Sequence, residues 1–321
     1  MKSLFISFSL ISIFMFSCKT AVTPTATFLI KHKEETMPVW IHGNTQSKYI
    51  ILAVHGGPGS NVLDFREYKG GIGFRKVEED YLVAYWQQRA SGQSKGANEK
   101  SLFTINQYVE DTDKVIDQLK EKYPNKEIVL FGHSWGGTLT SSYLADSKRR
   151  KKVSAWVNAA GVHNGTNLMQ YTITDINNEA DKRIAANQKV SYWTDVKNTL
   201  AEKPQHANRL AYSVTLEIPE VSTKVNNSDF DISFRALKSN MTLFTQIIKT
   251  DNTSTLSECE LPTLMLWGKY DFAVSKSMQD EINMHSSAPV TKIDFNASGH
   301  YMMFHEPILF AQSLKDFISK L

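Results

Sequence analysis

The chain has 321 residues, 36 Lys and Arg against 33 Asp and Glu, and a formal net charge of +3. The length suits one α/β core with an inserted segment, and the nearly balanced, unpatterned charge gives nucleic-acid binding no support. Apolar residues make up 41% and charged residues 21%, a globular composition, and the histidines show no ligand spacing such as H-E-x-x-H, so no metal and no cofactor is expected.

The first element is a leader. Met1-Lys2 supplies a single positive charge, an apolar stretch runs from Leu4 to Phe16, and Ser17-Cys18 ends it. It is too short and wrongly flanked for a spanning helix, and residues 1–17 read as a secretory signal peptide. A cysteine directly after a small residue resembles a bacterial lipoprotein cleavage site, here with Met15 in place of the usual leucine. That resemblance implies lipidation at Cys18, a tether over 18–27 rich in Thr, Ala and Pro, and anchoring to a membrane of the cell envelope rather than spanning. The alternative is an ordinary cleaved leader with an incidental cysteine, and a secreted or periplasmic protein. With Cys18 lipidated, Cys259 is alone, which leaves no disulfide within the chain and no cysteine-based metal site.

Thr27 to Lys31 and Pro38 to His42 read as a first antiparallel pair of strands. The apolar run Tyr49 to Val54 then leads into His55-Gly56-Gly57-Pro58-Gly59. Gly-Pro-Gly is turn chemistry by itself, but glycines here also let the backbone approach a ligand closely. Tyr81 to Trp86 is the next strand. Thr104-Ile105-Asn106-Gln107 has the form of a capping box, and Ile105, Tyr108, Val109, Val115, Ile116 and Leu119 behind it keep near-helical spacing.

Glu127 to Phe131 reads as a buried parallel strand, and Gly137 to Ala145 as a helix. Between them stands Gly132-His133-Ser134-Trp135-Gly136, a G-x-S-x-G turn. A strand, this turn and a helix make a nucleophile elbow, in which small residues give strand and helix room to pass while the serine is held in strained geometry. Ser134 is the candidate nucleophile, and the backbone N–H groups of Gly57 and Trp135 are the candidate oxyanion donors.

Lys152 to Ala159 is a further strand. Over 161–256 strand runs vanish and amphipathic polar stretches appear, which reads as a helical cap inserted between core segments 28–160 and 257–321. Leu264 to Gly268 is a late strand followed directly by Asp271, and Val290 to Phe295 is followed by a loop carrying His300. His300 would take the proton of Ser134 and return it to the leaving group, with Asp271 fixing its tautomer. Three competitors read as structural: Asp294 within a strand, His305 as a capping or surface residue, and His133 as a packing residue beside the serine.

His55-Gly56-Gly57-Pro58-Gly59, Gln88-Arg89-Ala90-Ser91-Gly92-Gln93-Ser94 and Ser134-Trp135-Gly136-Gly137-Thr138-Leu139 together resemble the proline iminopeptidase branch of the α/β-hydrolases. The resemblance covers nearly the whole chain after the leader. It implies a mostly parallel eight-stranded sheet flanked by helices, and a serine hydrolase that releases N-terminal residues, typically proline, from peptides. It also implies cap carboxylates for the substrate's free ammonium; Glu179, Glu217 and Glu220 are the candidates, and no motif selects one. The chain departs from the family in Gln87-Gln88-Arg89-Ala90, where Asp-Gln-Arg-Gly is usual, and in His133, where Gly is common. Arg89 reads as a charged group held by buried carbonyls.

The expected partner is therefore a small peptide or ester substrate. A carboxylesterase or lactonase with the same three residues remains the alternative, and a non-catalytic binding lipoprotein is a further one. Oligomeric state is not legible.

Overall fold

The structure is a computed structural model that describes residues 27–226, 230, 232–285 and 289–321. The expected signal peptide, Cys18 and the tether up to residue 26 lie outside the described residues.

Strands β1 (Phe28–His32) and β2 (Glu35–Gly43) form an antiparallel hairpin. β3 (Tyr49–Val54) is buried along its whole length, as a parallel strand covered on both faces must be. The short α1 (Asp64–Glu67) and α2 (Ile72–Glu78) lead to β4 (Leu82–Trp86). A two-residue β5 (Lys95–Gly96) pairs with β2, and α3 (Ile105–Lys122) follows. Thr104 caps α3 by accepting the Gln107 N–H at 3.1 Å. Only half of the expected capping box forms, because the Gln107 side chain turns instead to Asp111 at 3.0 Å.

β6 (Glu127–His133), α4 (Trp135–Leu144), α5 (Ser147–Arg150) and β7 (Ala155–Ala159) complete the first half of the core. The chain then leaves the sheet through α6 (Gly165–Ala185), α7 (Val190–Glu202), α8 (Ala207–Leu216), α9 (Phe234–Ile247) and α10 (Thr253–Ser257). The two ends of this excursion are stitched together: the Gly165 N–H donates to the Thr250 carbonyl at 2.7 Å, and the Asn252 N–H to the His163 carbonyl at 2.9 Å. β8 (Thr263–Gly268), α11 (Lys276–His285), β9 (Val290–Phe295), α12 (Met302–His305) and α13 (Pro307–Ile318) finish the chain.

Among the described residues the strands form one sheet in the order β1-β2-β4-β3-β6-β7-β8-β9, with β5 against β2. Every pairing from β4 to β9 is parallel. The chain steps outward from β3 to β4 and then returns to place β6 on the other side of β3, so the strand order reverses there. Ligands of open parallel sheets bind outside the carboxyl ends of the strands at such a reversal, and the His55–Gly59 loop and the Ser134 turn both stand at it.

Two apolar cores result among the described residues. The larger covers both faces of the sheet. The smaller holds Ile176, Trp193, Val196 and Leu200 of the helical excursion and includes Tyr270 and Phe272, the neighbours of Asp271. α9 ties the excursion to the sheet: its Leu243 and Ile247 belong to the larger core, as do Leu168 of α6 and Leu256 of α10, Arg235 pairs with Glu35, and the Asn240 amide donates to the Pro58 carbonyl at 2.8 Å. Arg89 is fully buried, donating to the carbonyls of His32 and Lys33 as expected, and also to the Asp111 carboxylate at 2.7 and 2.9 Å.

Candidate active site

Ser134 stands between β6 and α4 with φ 56° and ψ −119°, a conformation costly for any residue with a Cβ. Three backbone hydrogen bonds hold it there. The Ser134 N–H donates to the Ala159 carbonyl at 3.2 Å, and its carbonyl accepts from Gly137 at 2.8 Å and from Val162 at 3.1 Å. The turn is also crowded as the sequence pattern requires: a Cβ on Gly136 would collide with the Val54 carbonyl, and one on Gly56 would lie 2.9 Å from the Cβ of Ser134.

Asp271 follows β8 and is buried. Its Oδ1 accepts the N–H groups of Ala273 and Val274 at 3.0 and 2.9 Å, and its Oδ2 meets His300 Nδ1 at 2.8 Å. The carboxylate is thus fully engaged, and it fixes the imidazole with its proton on Nδ1 and its lone pair on Nε2. Ser134 and His300 line one cavity of about 340 Å³, to which Gly57 and Trp135 also contribute. Trp135 opens α4, and N–H groups of a first helical turn have no intrahelical acceptor.

The competing residues occupy other roles. Asp294 forms a surface ion pair with Lys276. His305 is buried rather than a surface or capping residue; its Nδ1 accepts the Gly299 N–H at 3.0 Å, and burial pushes its pKa down to about 3. His133 packs as expected, its ring 4.7 Å from that of His300, and it also donates from Nε2 to the His300 carbonyl at 2.9 Å. Burial, chiefly, holds it neutral.

Two groups escaped the sequence reading. Gln88 accepts the Trp135 indole N–H at 2.8 Å and donates to the His55 carbonyl at 2.8 Å. His55 accepts the Gln88 N–H on Nε2 at 3.3 Å and bonds the Gly56 carbonyl through Nδ1 at 2.9 Å. The one available signal was the family pattern itself, which has Gln at the position of Gln88 and departs from this chain at the neighbouring Gln87.

The structure does not bring the cap glutamates to the cavity. Glu179 pairs with Arg183 at 2.5 Å, Glu220 with the same Arg183 at 2.8 Å, and Glu217 with Lys189 at 2.5 Å. Each found a cation within the helical layer itself, so none lines the cavity. Among the described residues no group of three His, Cys, Asp or Glu side chains converges as a metal site, and no helix is long and apolar enough to cross a membrane.

A family profile described as alpha/beta hydrolase fold matches residues 49–307. A probable aminopeptidase, YbaC of Bacillus subtilis, is 22% identical over 299 residues, covering 85% of this chain and 90% of the relative. A proline iminopeptidase of Saccharolobus solfataricus is 24% identical over 290 residues, covering 84% of each. The solved proline iminopeptidase of Mycobacterium smegmatis superimposes with a TM-score of 0.65 at 15% identity, covering 91% of this chain and 97% of that one; at that identity the likeness speaks for the fold.

Proposed function

Given that this chain belongs to the alpha/beta hydrolase fold family, we propose that it is a serine hydrolase of the aminopeptidase kind, which releases N-terminal residues from small peptides. One observation carries the reading: His300, held through Nδ1 by Asp271 at 2.8 Å, shares a cavity with Ser134 at a strained turn. On this reading His300 Nε2 takes the Ser134 proton as Oγ attacks the carbonyl carbon. The N–H groups of Gly57 and Trp135 stabilise the charge on the carbonyl oxygen. The protonated imidazole then gives its proton to the departing amine, and water repeats the sequence on the acyl-enzyme. The names of the aminopeptidase relatives support the amide-cleaving form. A carboxylesterase or lactonase reading draws on the absence of cap carboxylates from the described cavity lining.

The leader motivates a second part of the proposal: Cys18 is lipidated and holds the enzyme at a membrane of the cell envelope.

The test is active-site labelling followed by a substrate panel. A fluorophosphonate labels the wild type; Ser134→Ala removes the label and lowers kcat by roughly 10⁴ to 10⁶. Unblocked aminoacyl arylamides are then turned over. Labelling that survives Ser134→Ala ends the assignment, and turnover of acyl esters alone moves it to the esterase reading.

A further inference from the structure

The last residue of β6 is His133, directly before Ser134. Its Nε2 donates to the backbone carbonyl of His300 at 2.9 Å. A carbonyl can only accept, so the proton of the neutral His133 ring sits on Nε2 and Nδ1 is bare. Nδ1 lies against the loop of the candidate oxyanion donor, where a Cβ added to Gly56 would stand 3.2 Å from it. The ring is buried, with Phe65 edge-on at 5.9 Å and Tyr301 at 5.5 Å, so it has little freedom to turn. One imidazole therefore adjoins the candidate nucleophile along the chain, packs on the oxyanion loop and bonds the backbone of the candidate base.

His300 is thus held at two points. Asp271 holds the ring through Nδ1 at 2.8 Å and sets its tautomer. Further ties of the His300 loop run to its own side of the sheet. The Ser298 carbonyl accepts the Tyr270 N–H at 2.9 Å, the Ala297 N–H donates to the Glu306 carboxylate at 2.9 Å, and the Gly299 N–H to His305 at 3.0 Å. The His133 bond instead reaches across from the nucleophile strand. We propose that His133 is a positioning residue: by tying the His300 backbone to β6 it sets the separation of the Ser134 hydroxyl and His300 Nε2, independently of Asp271. The inference rests on the acyl-transfer reading of Ser134 given above. A proton passes efficiently between the two groups only at hydrogen-bond distance, roughly 2.6–3.2 Å. The chain departs from the family pattern at His133, where Gly is common, and a glycine has no side chain to make this tie.

The experiment separates the donor from the packing. In His133→Gln the amide nitrogen takes the place of Nε2; His133→Leu fills the space with no donor, and His133→Gly is a second donor-free variant. The readouts are kcat and KM on p-nitrophenyl acetate and the rate of fluorophosphonate labelling at Ser134. Each is normalised to the enzyme labelled at completion, so a poorly folded fraction drops out. Both donor-free variants lose roughly 10- to 100-fold in kcat and in labelling rate, with KM within about 3-fold of wild type, and His133→Gln recovers most of the loss. A donor-free variant that melts lower yet keeps wild-type kcat per labelled site makes His133 a packing residue and overturns the proposal. Equal loss in His133→Gln and His133→Leu overturns it as well. A wild type that is not labelled at Ser134 takes down the acyl-transfer reading and this proposal with it, whereas the other two outcomes leave that reading standing.

Discussion

The side-chain oxygen of Gln88 accepts the indole N–H of Trp135 at 2.8 Å. The other end of the same amide donates to the carbonyl of His55 at 2.8 Å, so one buried side chain ties the residue after Ser134 to the loop that carries Gly57. Under the proposed mechanism both oxyanion donors are therefore braced by one group.

Gln88→Leu leaves the indole N–H and the His55 carbonyl buried without that partner. An unpaired buried polar group costs roughly 1–3 kcal/mol, and a small displacement of a donor costs up to about 100-fold in rate. The expected outcome is a lower unfolding midpoint and a kcat reduced by about 10- to 100-fold on an acyl ester, with KM changed much less. A Gln88→Leu enzyme with wild-type kcat refutes the bracing role.

Asp271→Asn tests the acid. The asparagine amide can donate to His300 Nδ1, which turns the imidazole to the tautomer that cannot accept the Ser134 proton. Turnover drops by roughly 10⁴ while circular dichroism and fluorophosphonate-independent folding probes stay at wild type. Should Asp294→Asn be the inactive variant instead, the carboxylate has been chosen wrongly.

Acid sensitivity follows from His55. Burial lowers its pKa to about 4, and its Nε2 accepts the Gln88 N–H, which a protonated ring cannot do. The folded pKa lies below the unfolded value, so the neutral ring's contribution is whole above the unfolded pKa near 6.5 and is lost as the pH falls toward about 4. For this fully buried ring the loss is on the order of 3 kcal/mol by the end of that window. Urea unfolding between pH 7 and 4, a range set by the same linkage, should show a shallower acid decline in His55→Gln than in wild type. Parallel declines in the two proteins count against His55 as a source.

Location has its own test. Full-length protein should fractionate with membranes and take up a fatty-acid analogue, and Cys18→Ser should do neither. A mature chain that begins elsewhere and carries no acyl group leaves a secreted hydrolase with the catalytic argument intact.

What the sequence displays is what a short stretch specifies. The Ser134 turn, the His55–Gly59 loop and the strand ends before Asp271 and His300 are each a run of a few residues with its own steric logic, and the parallel pairing of the strands before them places them all at the carboxyl ends of the sheet's strands. The contacts that remained hidden join distant stretches. Gln88 reaches Trp135 across 47 positions and His133 reaches the His300 carbonyl across 167. Glu217 and Glu220 looked available for a substrate because nothing local announces Lys189 and Arg183 as their partners. His305 was misread for a related reason: its position at a helix end suggested exposure, while Gly299 folds back over it.

The backbone of Ser134, at φ 56° and ψ −119°, bears on how this protein can be engineered and how it evolves. A glycine there would relieve a conformational penalty of order 1–3 kcal/mol, so Ser134→Gly should melt higher than its parent while doing no chemistry. Under the proposed mechanism, a position at which the fold can gain is thus one at which selection for activity forbids the gain. If Ser134 is the nucleophile as proposed, searches for hardened variants that screen on thermal resistance alone will drift toward inactive enzymes at this residue, and durable improvement must be sought in the sheet and in the helices away from the turn.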